Sequence, residues 1–146
     1  MTVIARLFPL ACAALLAQSA HTVAAAGMPK DQAELTQEVA LRCIYEMGEF
    51  GDDAVLVCMR ADLAAAEALT RYPPEAQGIV ARCFDVAWTR GYGVVQFCVE
   101  QDLKASVALD ALGTQHAATI QSCREKVGAE GPASVKRCVD AALAPK

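Results

Sequence analysis

Apolar side chains recur at helical spacing between residues 34 and 143, and the spacing itself repeats. Val39, Ala40, Cys43 and Met47 form one stripe, and Ile79, Val80, Cys83 and Ala87 form its counterpart forty residues on. A second stripe of Val55, Cys58, Met59, Leu63, Ala66 and Leu69 returns as Val95, Cys98, Val99, Leu103, Ser106 and Leu109. Turn residues separate the stripes. Gly51-Asp52-Asp53, Gly91-Tyr92-Gly93 and Gly131-Pro132 break the chain within each unit, while Tyr72-Pro73-Pro74-Glu75 and Gly113-Thr114 break it between units. The pattern predicts six helices, over 34–49, 53–70, 75–89, 94–111, 115–127 and 132–143. The expected fold is all-α: three tandem hairpins of about forty residues, at about 34–73, 74–113 and 114–146, stacked as a short α/α solenoid.

The register extends beyond the stripes. Gly51, Gly91 and Gly131 align, as do Val55, Val95 and Val135, then Leu63, Leu103 and Leu143. Cysteine spacings from Cys43 to Cys138 run 15, 25, 15, 25 and 15. Within a unit the two cysteines sit eight residues before and seven after the turn glycine, so antiparallel helices bring them level. This favours Cys43–Cys58, Cys83–Cys98 and Cys123–Cys138. The rival pairs Cys58–Cys83 and Cys98–Cys123 are also nearly symmetric about the turns between units, but they strand Cys43 and Cys138.

The N-terminal stretch reads differently. Arg6 precedes an apolar run from Leu7 to Ala17, and Ala24-Ala25-Ala26 before Gly27 is the small-residue pattern that a signal peptidase accepts. The run is shorter than the roughly 20 residues of a membrane span. Residues 1–26 are therefore expected to be a cleaved secretory signal and 27–146 a single three-repeat domain, periplasmic or secreted. An uncleaved anchor is the rival. Lipid modification at Cys12 would cut the apolar run in half. Cleavage leaves six of the seven cysteines, the even number expected for disulfides in an oxidising compartment. It also leaves 12 Lys+Arg (13 less Arg6) against 17 Asp+Glu, a net charge of −5 that disfavours nucleic acid or anionic lipid as a partner. No stable membrane span is expected after cleavage, and a monomer is the simplest expectation.

The chemistry-bearing residues are few. There is no C-x-x-C pair, and the cysteine spacing suits neither a zinc finger nor a zinc ribbon. His116 is the one histidine beyond the signal, and it reads as a surface or capping residue. No cofactor, metal site or catalytic residue is expected. Asp62 and Asp102, four residues after the second cysteine of their units, and Arg42 and Arg82, just before the first, read as a ladder of structural ion pairs or hydrogen bonds within or between units. The second unit holds Phe84, Trp88, Tyr92 and Phe97 around Arg90, and Trp88, Arg90 and Tyr92 are the candidate binding surface. The opposing reading places Phe84 and Trp88 in the stack core, with Tyr92 over the turn. In the third unit Arg124 and Lys126 replace Phe84 and Val86, as in a polar cap that stops a stack.

Paired helices, a period near forty and one bridge per unit resemble the Sel1-like repeats of secreted cysteine-rich bacterial proteins, relatives of tetratricopeptide arrays. The resemblance covers the architecture of residues 34–143. Those families space the cysteines of a unit more closely than the C-x14-C found here, and the usual Sel1 glycine and alanine pattern is not reproduced. The resemblance implies an α/α solenoid and carries no activity across. The string C-V-x-x-D-L-x-A-x-x-A-L around Cys98 is also similar to small uncharacterised exported bacterial proteins.

The leading functional expectation is a module that binds a protein or envelope partner rather than an enzyme. The alternative is a carrier of a small apolar ligand or lipid, since Ala-rich amphipathic helices can enclose a cavity. A weak hydrolase is a third reading, with no nucleophile–base pair to support it.

Overall fold

The computed structural model describes residues 31–145. The expected signal peptide and Cys12 lie outside the described residues. Six helices follow one another: α1 (Gln32–Met47), α2 (Asp52–Thr70), α3 (Gln77–Ala87), α4 (Tyr92–Leu112), α5 (Ala117–Val127) and α6 (Pro132–Leu143). No strand occurs among the described residues, and no helix there is long and apolar enough to cross a membrane.

Each hairpin turns in the same way. The first helix tightens into one 3₁₀ turn, at Gly48–Phe50, Trp88–Arg90 and Gly128–Glu130, and the chain then reverses at Gly51, Gly91 or Gly131. These glycines have φ of 91°, 101° and 101° with ψ of 172°, 159° and 169°, a region essentially closed to side chains. The forty-residue glycine repeat is thus a requirement of the backbone. The same glycine ends the first helix and is the N-cap of the second, yet it has no side chain with which to cap.

Three helix starts differ from expectation for identifiable reasons. Pro74–Ala76 and Gly113–His116 form 3₁₀ turns, so α3 and α5 begin two residues later than the sequence pattern suggests. Conversely, α4 begins at Tyr92, because Gly93 lies inside the first helical turn rather than in the loop.

The three disulfides join Cys43–Cys58, Cys83–Cys98 and Cys123–Cys138, with Cα atoms 5.8, 5.7 and 5.7 Å apart. Each therefore ties the two helices of one hairpin together about two helical turns from the turn glycine. Three such bridges in one small domain fit an oxidising, extracytoplasmic environment.

The hairpins stack mainly through their second helices, α2 against α4 and α4 against α6, while α1, α3 and α5 each pack on their own partner. One core cluster spans the first two hairpins, with Val39, Cys43, Ala66, Leu69, Cys83, Phe84, Tyr92, Val95 and Val99 among its buried members. A smaller one joins Leu109 of α4 to Ile120, Cys123, Val135 and Val139 of the third hairpin. The alanines of α2, Ala65 and Ala66, are buried where a helix must come close.

Candidate binding groove

Arg42 and Arg82 sit one residue before the leading cysteine of their hairpins, and each reaches across to the second helix of the same hairpin. Arg42 pairs with Asp62, and Arg82 with Asp102, through Oδ2 of the aspartate. The other carboxylate oxygen points to the next hairpin. Asp62 Oδ1 accepts the backbone N–H of Gly93 at 3.0 Å, and Asp102 Oδ1 accepts that of Ala133 at 2.9 Å. Each aspartate is therefore the missing N-cap of the following hairpin's second helix. Arg82 adds a hydrogen bond from Nη1 to the carbonyl of Glu130 at 3.0 Å, just ahead of Gly131. The expected ladder of ion pairs is a set of clamps between units, one per junction.

The clamps press the arginines onto the turn glycines. A Cβ built on Gly91 would stand 2.8 Å from Arg42 Nη1, and one on Gly131 only 2.5 Å from Arg82 Cζ. Gly51, which no preceding hairpin covers, has nothing within 4 Å.

The two junctions are filled differently. At the first, Phe84 and Trp88 stack with ring centroids 6.4 Å apart, and Phe84 lies 5.9 Å from Tyr92. Tyr92 is only 2% exposed and donates its hydroxyl to Glu38 at 3.3 Å. Burial first, then the charge and hydrogen bond of Glu38, hold its pKa well above the ordinary tyrosine value, with Arg42 opposing. At the second junction the equivalent positions are Arg124, Gly128 and Pro132. No ring fills the space, and an open groove of about 560 Å³ takes its place, lined by these three residues with Ser106, Leu109, Asp110 and Val135. A neighbouring hollow of about 450 Å³ shares Leu109, Asp110 and Arg124 and runs on to Ala117 and Ile120. The combined surface has an apolar floor and one charge of each sign.

The sequence-derived candidates separate here. Tyr92 is a core residue, so it offers no surface; Trp88 is half-exposed at 46%, and Arg90 is exposed. Phe84 fills the stack while Trp88 covers it, much as the core reading of the aromatic set expects. Of Arg124 and Lys126, only Arg124 replaces a buried side chain, because Val86, the counterpart of Lys126, is itself exposed. The signal for the groove in the sequence is the comparison of Phe84, Trp88 and Tyr92 with their counterparts forty residues on.

Cys83, Cys98 and Asp102 bring potential metal-ligand atoms within 4.8 Å of one another. Both sulfurs are committed to a disulfide and the carboxylate to Arg82, so the group lacks the thiolates a metal site uses. Arg82 Nη2 lies 3.0 Å from Cys83 Sγ and 3.3 Å from Cys98 Sγ, occupying the position an ion would need. His116 is the N-cap residue of α5 and makes no capping hydrogen bond with its side chain.

No protein-family model matches the chain, and no curated protein or solved structure proved similar to it.

Proposed function

We propose that this protein is an exported interaction module: a stiff three-hairpin stack whose groove at the second junction receives an apolar side chain, with an adjoining acidic group, from a protein partner. The observation that carries the reading is the exchange of Phe84, Trp88 and Tyr92 for Arg124, Gly128 and Pro132 at equivalent positions. One junction is sealed by its own aromatic rings. The other keeps the same backbone but leaves a ring-sized space open, with Arg124 of α5 beside it to meet a carboxylate and Asp110 of α4 also lining it. Disulfide bridges and interhairpin clamps keep that space preformed, which lowers the cost of ordering on binding.

The test writes the second hairpin's residues into the third, as Arg124→Phe, Gly128→Trp and Pro132→Tyr together. A photo-cross-linking residue at exposed Asp110 reports occupancy in an envelope extract of the native host. The expected result is a partner cross-link that disappears in the filled variant while its melting temperature is equal or higher. An unchanged cross-link in the filled variant overturns the groove as the binding site. Native mass spectrometry covers the carrier reading, since a retained lipid or metabolite lost on filling assigns the groove to a small ligand instead. Export is checked by N-terminal sequencing of the mature protein, expected to begin at Gly27.

A further inference from the structure

The first hairpin exposes the face that the other two hairpins bury. Ile44 is 56% exposed, whereas Phe84 at the equivalent position is 5% exposed beneath the first hairpin. Along α4, which packs on α2, Tyr92, Val95 and Val99 are buried in the core shared with the first hairpin, and Gln96 and Glu100 of the same helical stripe are partly buried. Their counterparts on α2 are Asp52, Val55, Leu56, Met59 and Arg60, and among the described residues no preceding hairpin lies against them. Leu56 is 51% exposed, and Asp52 and Arg60 are exposed as well.

This stripe has a symmetry that the α4 stripe lacks. Leu56 is its midpoint, Asp52 lies four residues to one side and Arg60 four to the other, with Val55 and Met59 between. An antiparallel copy of the same helix, related by a two-fold axis through Leu56, sets Asp52 of one chain against Arg60 of the other twice over. It also closes the apolar middle. A self-complementary patch of this kind is what an isologous interface requires. Head-to-tail addition lacks the corresponding fit. Each junction within the chain uses an arginine and an aspartate from the preceding hairpin, and the third hairpin has Ser122 and Ala142 at those positions.

We infer that the exposed face of the first hairpin pairs with a second copy of this chain, α2 against α2 in antiparallel register about Leu56, with Ile44 flanking the seam. The dimer presents its two grooves at opposite ends.

Sedimentation equilibrium on the disulfide-bonded protein, expressed as the full chain and purified from an oxidising compartment, tests the inference. The wild type is expected at twice the chain mass. Leu56→Glu, which places two carboxylates on the axis, is expected at the chain mass with an unchanged helical circular dichroism spectrum. Asp52→Arg alone and Arg60→Asp alone are each expected to weaken the dimer about ten-fold or more. The two together restore it, because the exchanged charges meet again across the axis. A wild type that stays monomeric up to sub-millimolar concentration overturns the inference, whether the face is covered by residues preceding α1 or left free. A dimer indifferent to Leu56→Glu, or one that the paired charge exchange fails to restore, overturns the interface or its register.

Discussion

Asp102 of the second hairpin caps α6 of the third: its Oδ1 accepts the Ala133 amide at 2.9 Å while Oδ2 holds Arg82. Asp62 does the same for α4 through Gly93. The pair is largely buried, with the Asp102 side chain only 3% exposed. Removing one partner of a buried ion pair commonly costs about 3–5 kcal/mol, whereas replacing both with apolar residues is often neutral.

That contrast gives the first prediction. Asp102→Ala is expected to lower unfolding free energy by about 3 kcal/mol or more. The apolar replacement Arg82→Met with Asp102→Leu is expected to remain destabilised by about 1–3 kcal/mol, because the Ala133 amide and the Glu130 carbonyl both lose their partners. Urea denaturation of the single and double variants decides it. A double variant as stable as wild type reduces the clamp to an ordinary ion pair.

The turn glycines give a graded series. Alanine at any of the three meets an unfavourable backbone region, costing about 1–3 kcal/mol. Gly91→Ala and Gly131→Ala also collide with Arg42 and Arg82, whereas Gly51→Ala enters open space. Thermal melts should therefore rank Gly51→Ala as the mildest of the three. Equal losses at all three sites would show that the arginines move aside freely.

The disulfides allow a cleaner comparison than usual. All three close loops of the same separation, 15 residues, so loop entropy contributes about 3 kcal/mol to each. Differences among the three paired Cys→Ser variants then report packing. Loss of Cys83–Cys98, between two junctions and against Arg82, is expected to be the most damaging in a reducing-agent-free melt.

Tyr92 predicts an alkaline weakness. Its pKa in the fold is raised above the ordinary 10.0, chiefly by burial and then by Glu38. The neutral phenol is thus favoured by the fold. The associated stability is complete below the unfolded-state value and drains away as pH climbs through it towards the raised one. As pH rises above about 10, the unfolding free energy of wild type should fall more steeply than that of Tyr92→Phe. Parallel pH profiles would remove Tyr92 as the source.

Much of the architecture was legible before any coordinates. Cysteine symmetry about Gly51 and its counterparts favours the observed bridges, because a short antiparallel hairpin brings equidistant positions level, and the rival set about the inter-unit turns strands Cys43 and Cys138. The ion-pair ladder was also legible, as recurrence of Arg42 with Arg82 and Asp62 with Asp102. Its direction was not. Gly91-Tyr92-Gly93 reads as a turn because a glycine pair usually marks a break, and only a carboxylate arriving from another hairpin shows that Gly93 belongs to a helix. Tyr92 shows the same limit: the sequence leaves it open between surface and core, because exposure beside a turn depends on what packs over that turn.

The sequence by itself determined the repeat, the six helices and the residues at each equivalent position, and it favoured one disulfide pairing over its rival, since all of these follow from local spacing and backbone preference. Tertiary structure decided which face of a hairpin meets the next one. That choice makes Asp62 and Asp102 caps for a neighbour, buries Tyr92, leaves Leu56 and Ile44 uncovered, and turns the absence of three rings into a groove. Stacking joins residues some thirty positions apart, and burial and capping across a junction depend on the distance between hairpins, which no one-dimensional spacing records.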